Sequence, residues 1–215
     1  MSFMFGNPKR PEHRPVIRLL QALDVCYARI YHHVTVHSPC KLPRTGPAIL
    51  ICNHTSHIDP LFVQSVCPRL ITWMMTADFY DIKWLQPIFR AVGAIRVERK
   101  GRDMAAVRMA LRVLEEGGIL GVFPEGRIEQ TKELMPFQTG VAMIALRANV
   151  PIYPVYLDGT QRNRPKLMDE FMHRQRATLH FGPQLILPPS PATREGLAAT
   201  TEVIRQSMVC LQADS

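Results

Sequence analysis

Cysteine is scarce and badly spaced for its structural uses. Cys26, Cys40, Cys52, Cys67 and Cys210 are odd in number and include no C-x-x-C pair, which argues against a disulfide framework or a structural zinc site and for a reducing compartment. No uncharged apolar run approaches the ~20 residues that a membrane span needs. The N-terminus carries Lys9, Arg10 and Arg14 but lacks the compact apolar stretch and small-residue cleavage site of a secretory signal. Any meeting with lipid is therefore expected at the surface of a membrane. Low-complexity linkers and internal repeats are missing as well, as is any basic stretch interleaved with aromatics of the kind that stacks nucleic-acid bases. The net charge of +8 then points to phosphorylated substrates or an anionic membrane surface, and not to nucleic acid.

What the chain does have is apolar content, 47% of 215 residues, enough for one sizeable core and a single layered domain. Residues 1–13 are polar and proline-broken, so they read as a loose tail. Residues 14–32 have helical periodicity: Val16, Leu19, Leu20, Leu23, Cys26, Tyr27, Ile30 and Tyr31 gather on one face, opposite Arg14, Arg18, Gln21, Arg29 and His32. Such a helix lies on an anionic bilayer, packs on the protein's own core or meets a second copy of the chain; with the basic loops it also suits a non-enzymatic protein of the membrane surface. We accordingly divide the chain into residues 1–34, a tail and amphipathic helix, and residues 35–215, the main domain. Within the latter, strand-like runs at 33–37, 47–52, 70–75, 94–98, 119–123, 152–157 and 177–181 alternate with helical segments near 60–66, 84–91, 103–116, 140–148 and 193–211. This alternation predicts an α/β fold with a largely parallel sheet flanked by helices. The polar stretches 124–140 and 158–176 read as loops, the second of them basic through Arg162, Arg164, Lys166, Arg174 and Arg176.

The most informative segment is Asn53-His54-Thr55-Ser56-His57-Ile58-Asp59. It follows the apolar run Ala48 to Cys52, which reads as a buried strand, and leads into Asp59-Pro60, an N-cap and first-turn proline that start a helix. On a continuous helix residues five apart would be separated by about 140°. Across a loop the imidazole of His54 and the carboxylate of Asp59 can meet, giving a base and the group that orients it. Two alternatives use the same segment: a metal site from His54, His57 and Asp59, and Cys52 as a nucleophile beside His54, although a cysteine ending an apolar strand usually behaves as a small buried hydrophobe.

Three further segments follow at strand ends: Gly93 to Arg99, Phe123-Pro124-Glu125-Gly126-Arg127, and Val150 to Val155. With the His54/Asp59 segment they resemble the four ordered blocks of the glycerolipid acyltransferases, whose best-known members are the 1-acylglycerol-3-phosphate acyltransferases, over roughly residues 35 to 185. The resemblance implies an O-acyltransferase in which His54 is the general base and Asp59 its partner. Arg99 and Arg127 would bind the acceptor's anionic head, while Gly126 would allow close approach of a ligand and Glu125 would hold a hydroxyl or a basic side chain. No metal and no cofactor is implied; acyl-CoA or acyl carrier protein is the donor substrate, a lysophospholipid or related amphiphile the acceptor, and the cytoplasmic membrane face the place of work. This chain departs from the commoner pattern at Arg127, where threonine is frequent, at Ile128, where arginine is usual, and at Gln138, where lysine is often found. These departures bear on the acceptor's head group and leave the His54/Asp59 pair intact.

Overall fold

The computed structural model describes residues 15–99, 103–128, 133–160 and 167–215. The tail over residues 1–13, Arg14, and Arg162, Arg164 and Lys166 of the basic stretch lie outside the described residues. A seven-stranded sheet carries the fold, with strands β1 (Val34–Val36), β2 (Ala48–Cys52), β3 (Ile71–Thr76), β4 (Ile95–Val97), β5 (Ile119–Val122), β6 (Ile152–Asp158) and β7 (Ala177–Phe181) in the order β1-β7-β6-β2-β5-β3-β4. Every neighbouring pair is parallel except β6 and β7. The expected α/β class and largely parallel sheet are therefore present.

The central strands β2 and β5 are buried along their whole length, which is why they read as unbroken apolar runs with no polar alternation. Successive side chains of β2 go to opposite faces. Leu50 and Cys52 join a core with Phe62 and Val63 of helix α2 (Asp59–Val66), while Ile49 and Ile51 join a second core. That second core contains residues of α5 (Met104–Glu115), α6 (Gly140–Ala148) and α8 (Arg194–Ala213). The chain thus leaves β2 toward one face and β5 toward the other. In an open α/β sheet, adjacent strands whose connections diverge leave a crevice at their carboxyl ends, the usual place for a ligand.

Helix boundaries follow local chemistry. Asp103 caps α5 by accepting from the Ala106 amide at 2.9 Å, and Gly117 closes its C-terminal end at φ +75°, a conformation that favours glycine. Two short helices were not expected, α3 (Ala77–Tyr80) and α7 (Leu167–Met172); α4 is Gln86–Ala91. Helix α7 corrects the reading of residues 158–176 as loop: at six residues it is too short for periodicity to reveal.

The N-terminal segment also differs from a single helix over residues 14–32. Helix α1 ends at Cys26 and continues as a π-helical turn over Tyr27–Tyr31. The segment seats on the domain through the buried Ile17 of α1 and Ala28 of the π-helical turn, whereas Val16, Leu19, Leu23 and Ile30 of the apolar stripe are 57–69% exposed. Among the described residues no helix is long and apolar enough to cross a membrane.

Candidate active site

His54 lies just past β2, and its backbone cannot continue the sheet because Asn53 closes the strand. The buried Asn53 side chain accepts from the Leu157 amide at 2.7 Å and donates to the Leu157 carbonyl at 2.9 Å, occupying the place of a further ladder residue on β6. The chain then turns through residues 54–57 into α2. Asp59 is the first residue of α2, not the N-cap ahead of it: Ile58 holds the cap position. Its carboxylate points back into the loop, so one oxygen, Oδ2, accepts from the amides of Thr55 at 2.7 Å and Ser56 at 2.8 Å and faces His54 Nδ1 at 3.0 Å.

Four consecutive backbone amides of the loop end on carboxylates. His54 donates to Glu125, which follows β5, at 3.2 Å; Thr55 and Ser56 donate to Asp59; His57 donates to Glu170 of α7 at 2.8 Å. All three acids are buried. A loop so held has little freedom to relax. Because Asp59 Oδ2 already accepts two amides, it is an acceptor toward His54 as well, so the proton belongs on Nδ1 and Nε2 is left without one.

The imidazole is supported from below by aromatic rings. Phe123 stacks on His54 at 4.0 Å between centroids, and Trp73 stacks on Phe123 at 4.6 Å. Trp73 in turn fits because its partner across the ladder is Gly121: a Cβ there would stand 2.5 Å from the indole.

A cavity of about 270 Å³ opens in front of this group, walled by His54, Phe123, Trp73, Met74, Met75 and Phe79, with Arg99, Gly126 and Arg127 also on its lining. The structure thus brings together His54, Arg99, Gly126 and Arg127. Arg99 makes a loose 3.6 Å ion pair with Asp78 at the surface. The Arg127 Nε lies 3.1 Å from the Met135 sulfur. Gly126 has φ +71°, which keeps the residue a glycine. Glu125 is buried beneath the loop. It is turned inward, away from the cavity, where it accepts from the amides of His54 and, at 3.4 Å, Met135.

Neither alternative use of the segment assembles. His57 turns its Nδ1 to Glu170 at 3.1 Å and, among the described residues, does not converge with His54 and Asp59 on a common point. Burial pushes the Cys52 thiol well above its ordinary value, helped by the Asp59 and Glu125 charges, so its thiolate is not available at neutral pH. Sequence reasoning missed Trp73 and Glu170. Trp73 sits in an ordinary strand, and Glu170 lies 113 residues from His57 in a stretch with no motif.

Residues 33–158 match the family model described as Acyltransferase. The chain is 26% identical over 180 residues to the 1-acyl-sn-glycerol-3-phosphate acyltransferase of Bacillus subtilis, covering 80% of this chain and 85% of that protein. It is 32% identical over 116 residues to the enzyme of the same name from Limnanthes douglasii, covering 53% of this chain and 41% of that one. The crystal structure of the 1-acyl-sn-glycerophosphate acyltransferase PlsC from Thermotoga maritima superposes with a TM-score of 0.68 at 20% identity, over 91% of this chain and 80% of that one, which establishes a shared fold.

Proposed function

Because this chain belongs to the acyltransferase family and is an enzyme, we propose that it moves a fatty acyl group from acyl-CoA or acyl carrier protein to a hydroxyl of a lysophospholipid such as 1-acylglycerol-3-phosphate. The observation that carries the mechanism is the 3.0 Å contact of His54 Nδ1 with Asp59 Oδ2 at the wall of an apolar cavity. With Nδ1–H held by the carboxylate, Nε2 takes the proton of the acceptor hydroxyl as its oxygen attacks the thioester carbonyl carbon. The tetrahedral adduct collapses by breaking the C–S bond, and the departing sulfur takes the proton back from His54. No enzyme-bound acyl group is needed. A base of this kind supplies ~3–6 kcal/mol of barrier lowering, so positioning of donor and acceptor in the cavity supplies much of the remainder.

Arg99 and Arg127 take the acceptor's anionic head, because a guanidinium satisfies two phosphate oxygens at once. Glu125 serves the reaction through the backbone of the loop, while Gly126 leaves room beside the head group. The apolar stripe of α1 brings the site to the cytoplasmic face of a membrane, where single-chain lipids are found; its outward exposure supports this reading.

The test is thiol release from acyl-CoA against a panel of lysolipids and polar alcohols, with the product identified by mass. The wild type should acylate a lysophospholipid and His54→Ala should not, with both proteins folded. Wild-type turnover in His54→Ala would remove His54 as the base. A preferred product without phosphate would replace the lysophospholipid by a neutral acceptor, for which Ile128, standing where the family usually has arginine, is the chain's own argument.

A further inference from the structure

Two of the three carboxylates behind the catalytic loop come from the segments that the family blocks define; the third does not. Glu170 projects from α7 and is buried, with 4% of its surface exposed. Its Oε2 accepts from Ser56 Oγ at 2.7 Å and the His57 amide at 2.8 Å, and its Oε1 faces His57 Nδ1 at 3.1 Å. Burial alone pushes this carboxyl up, but the hydrogen bonds from His57 and Ser56 outweigh it and leave it below its ordinary value. It is therefore ionised at neutral pH and acts purely as an acceptor. Helix α7 is itself tied to the N-terminal segment. Tyr27 donates to the Phe171 carbonyl at 2.7 Å, Tyr31 donates to that of Met172, and Arg174 donates to that of Tyr31 at 2.7 Å. Just beyond, the Gln175 amide donates to His32 Nδ1 at 3.1 Å.

We propose that Glu170 is a positioning residue for acyl transfer: by taking the Ser56 hydroxyl and the His57 amide it holds the loop in the turn that keeps Asp59 on His54 Nδ1. The inference rests on the role of His54 proposed above. Ser56 is the link, because its side chain goes to Glu170 while its own amide goes to Asp59 Oδ2. Without Glu170 the buried Ser56 hydroxyl and the half-buried His57 amide lose their acceptor, and the loop must move to satisfy them. That movement carries the Ser56 and Thr55 amides off Asp59 and frees the carboxylate and imidazole from their common geometry.

The geometry at Glu170 separates loop positioning from an effect of its negative charge. A glutamine placed with its carbonyl at Oε2 keeps both the Ser56 and His57 amide contacts, and its NH₂ at Oε1 meets His57 Nδ1, which can accept in the other tautomer. A loop-positioning role predicts rescue by glutamine. We therefore compare the wild type, Glu170→Ala, Glu170→Gln and Ser56→Ala, each labelled with ¹⁵N at the histidine rings. Glu170→Ala should lower kcat 10- to 100-fold with the donor KM within about threefold, and should convert His54 from the Nδ1–H form to a mixture of tautomers. Glu170→Gln should keep kcat within about threefold and the wild-type His54 pattern; Ser56→Ala should fall between. A His54 tautomer pattern in folded Glu170→Ala identical to the wild type overturns the proposal whatever happens to turnover. So does a Glu170→Gln variant as impaired as Glu170→Ala. If Glu170→Ala does not fold, Ser56→Ala with wild-type kcat and tautomer overturns it. A wild type inactive toward every acceptor would count against the acyl-transfer reading alone, since the ring nitrogens report loop geometry without substrate.

Discussion

Replacing Asp59 by asparagine separates charge from geometry in the proposed catalytic pair. In a hydrolase triad the same change can leave the imidazole in the wrong tautomer and cost about 10⁴-fold in kcat. Here the outcome is constrained by the loop. Oδ2 accepts from the Thr55 amide at 2.7 Å and the Ser56 amide at 2.8 Å as well as facing His54 Nδ1 at 3.0 Å, whereas Oδ1 is buried without a partner among the described residues. An amide NH₂ at the Oδ2 position would face two backbone donors, so the asparagine must place its carbonyl there. His54 then still donates from Nδ1 and keeps Nε2 as the base. What is lost is the difference between a charged and a neutral acceptor as the imidazole becomes cationic. Hydrogen bonds to charged groups contribute ~1.5–3 kcal/mol and neutral ones ~0.5–1.5, so the loss is ~1–2 kcal/mol, or about 5- to 30-fold in kcat. Thiol release at saturating donor and acceptor measures it directly. A drop of 10⁴-fold in a folded Asp59→Asn protein would show that the carbonyl does not occupy the Oδ2 position. An unchanged kcat would show that Asp59 does not act on the imidazole at all.

Four further outcomes are expected. Arg99→Ala and Arg127→Ala should each raise the acceptor KM about 5- to 20-fold and leave the donor KM nearly unchanged, the lower end reflecting solvent screening of two exposed side chains; an unaltered acceptor KM in the double variant refutes their role. Gly121→Ala should destabilise the fold by ~1–3 kcal/mol and lower kcat, because its Cβ would stand 2.5 Å from the Trp73 ring and 2.6 Å from Ile71; chemical denaturation with unchanged midpoint would show that the sheet accommodates it. Both Asp24 carboxylate oxygens are shut off from solvent and unpartnered among the described residues, and burial raises the group from 3.8 to about 7. Protons are therefore bound more tightly in the folded state, and stability falls as pH rises from about 4 to 7 and is level above. Asp24→Asn should stabilise the fold little at pH 4.5 and most at pH 8, by up to ~4 kcal/mol at the plateau, read as a rise in Tm; equal Tm shifts at both pH values contradict this. Leu19→Glu/Leu23→Glu should fold, since these side chains are 60% and 57% exposed, and should lose cosedimentation with anionic vesicles; binding equal to the wild type rejects α1 as the anchor.

The sequence by itself indicated the strands, the longer helices and the approach of His54 to Asp59. Buried parallel strands need apolar side chains on both faces, so β2 and β5 announce themselves as short unbroken runs. Pro60 lacks an amide hydrogen and belongs in a first helical turn, which put the start of α2 within a residue of its place. His54 and Asp59 are five residues apart, close enough for a single turn of backbone to join them. These are local properties, readable from residue types at short spacing. Only the tertiary structure decided what surrounds them. Glu170 reaches the loop across 113 residues, Glu125 turns from the cavity to the His54 amide 71 residues away, and Trp73 reaches Phe123 because glycine stands opposite it on β5. The N-terminal helix shows the same division. Its periodicity set out an apolar stripe, but which side of the helix met the domain depended on whether Ile17 and Ala28 or Leu19 and Leu23 fitted the surface beneath, and Ile17 and Ala28 did. A side chain's pattern along one element records that it can be buried. Where it is buried, and against what, depends on how distant elements pack, and spacing along the chain does not encode that.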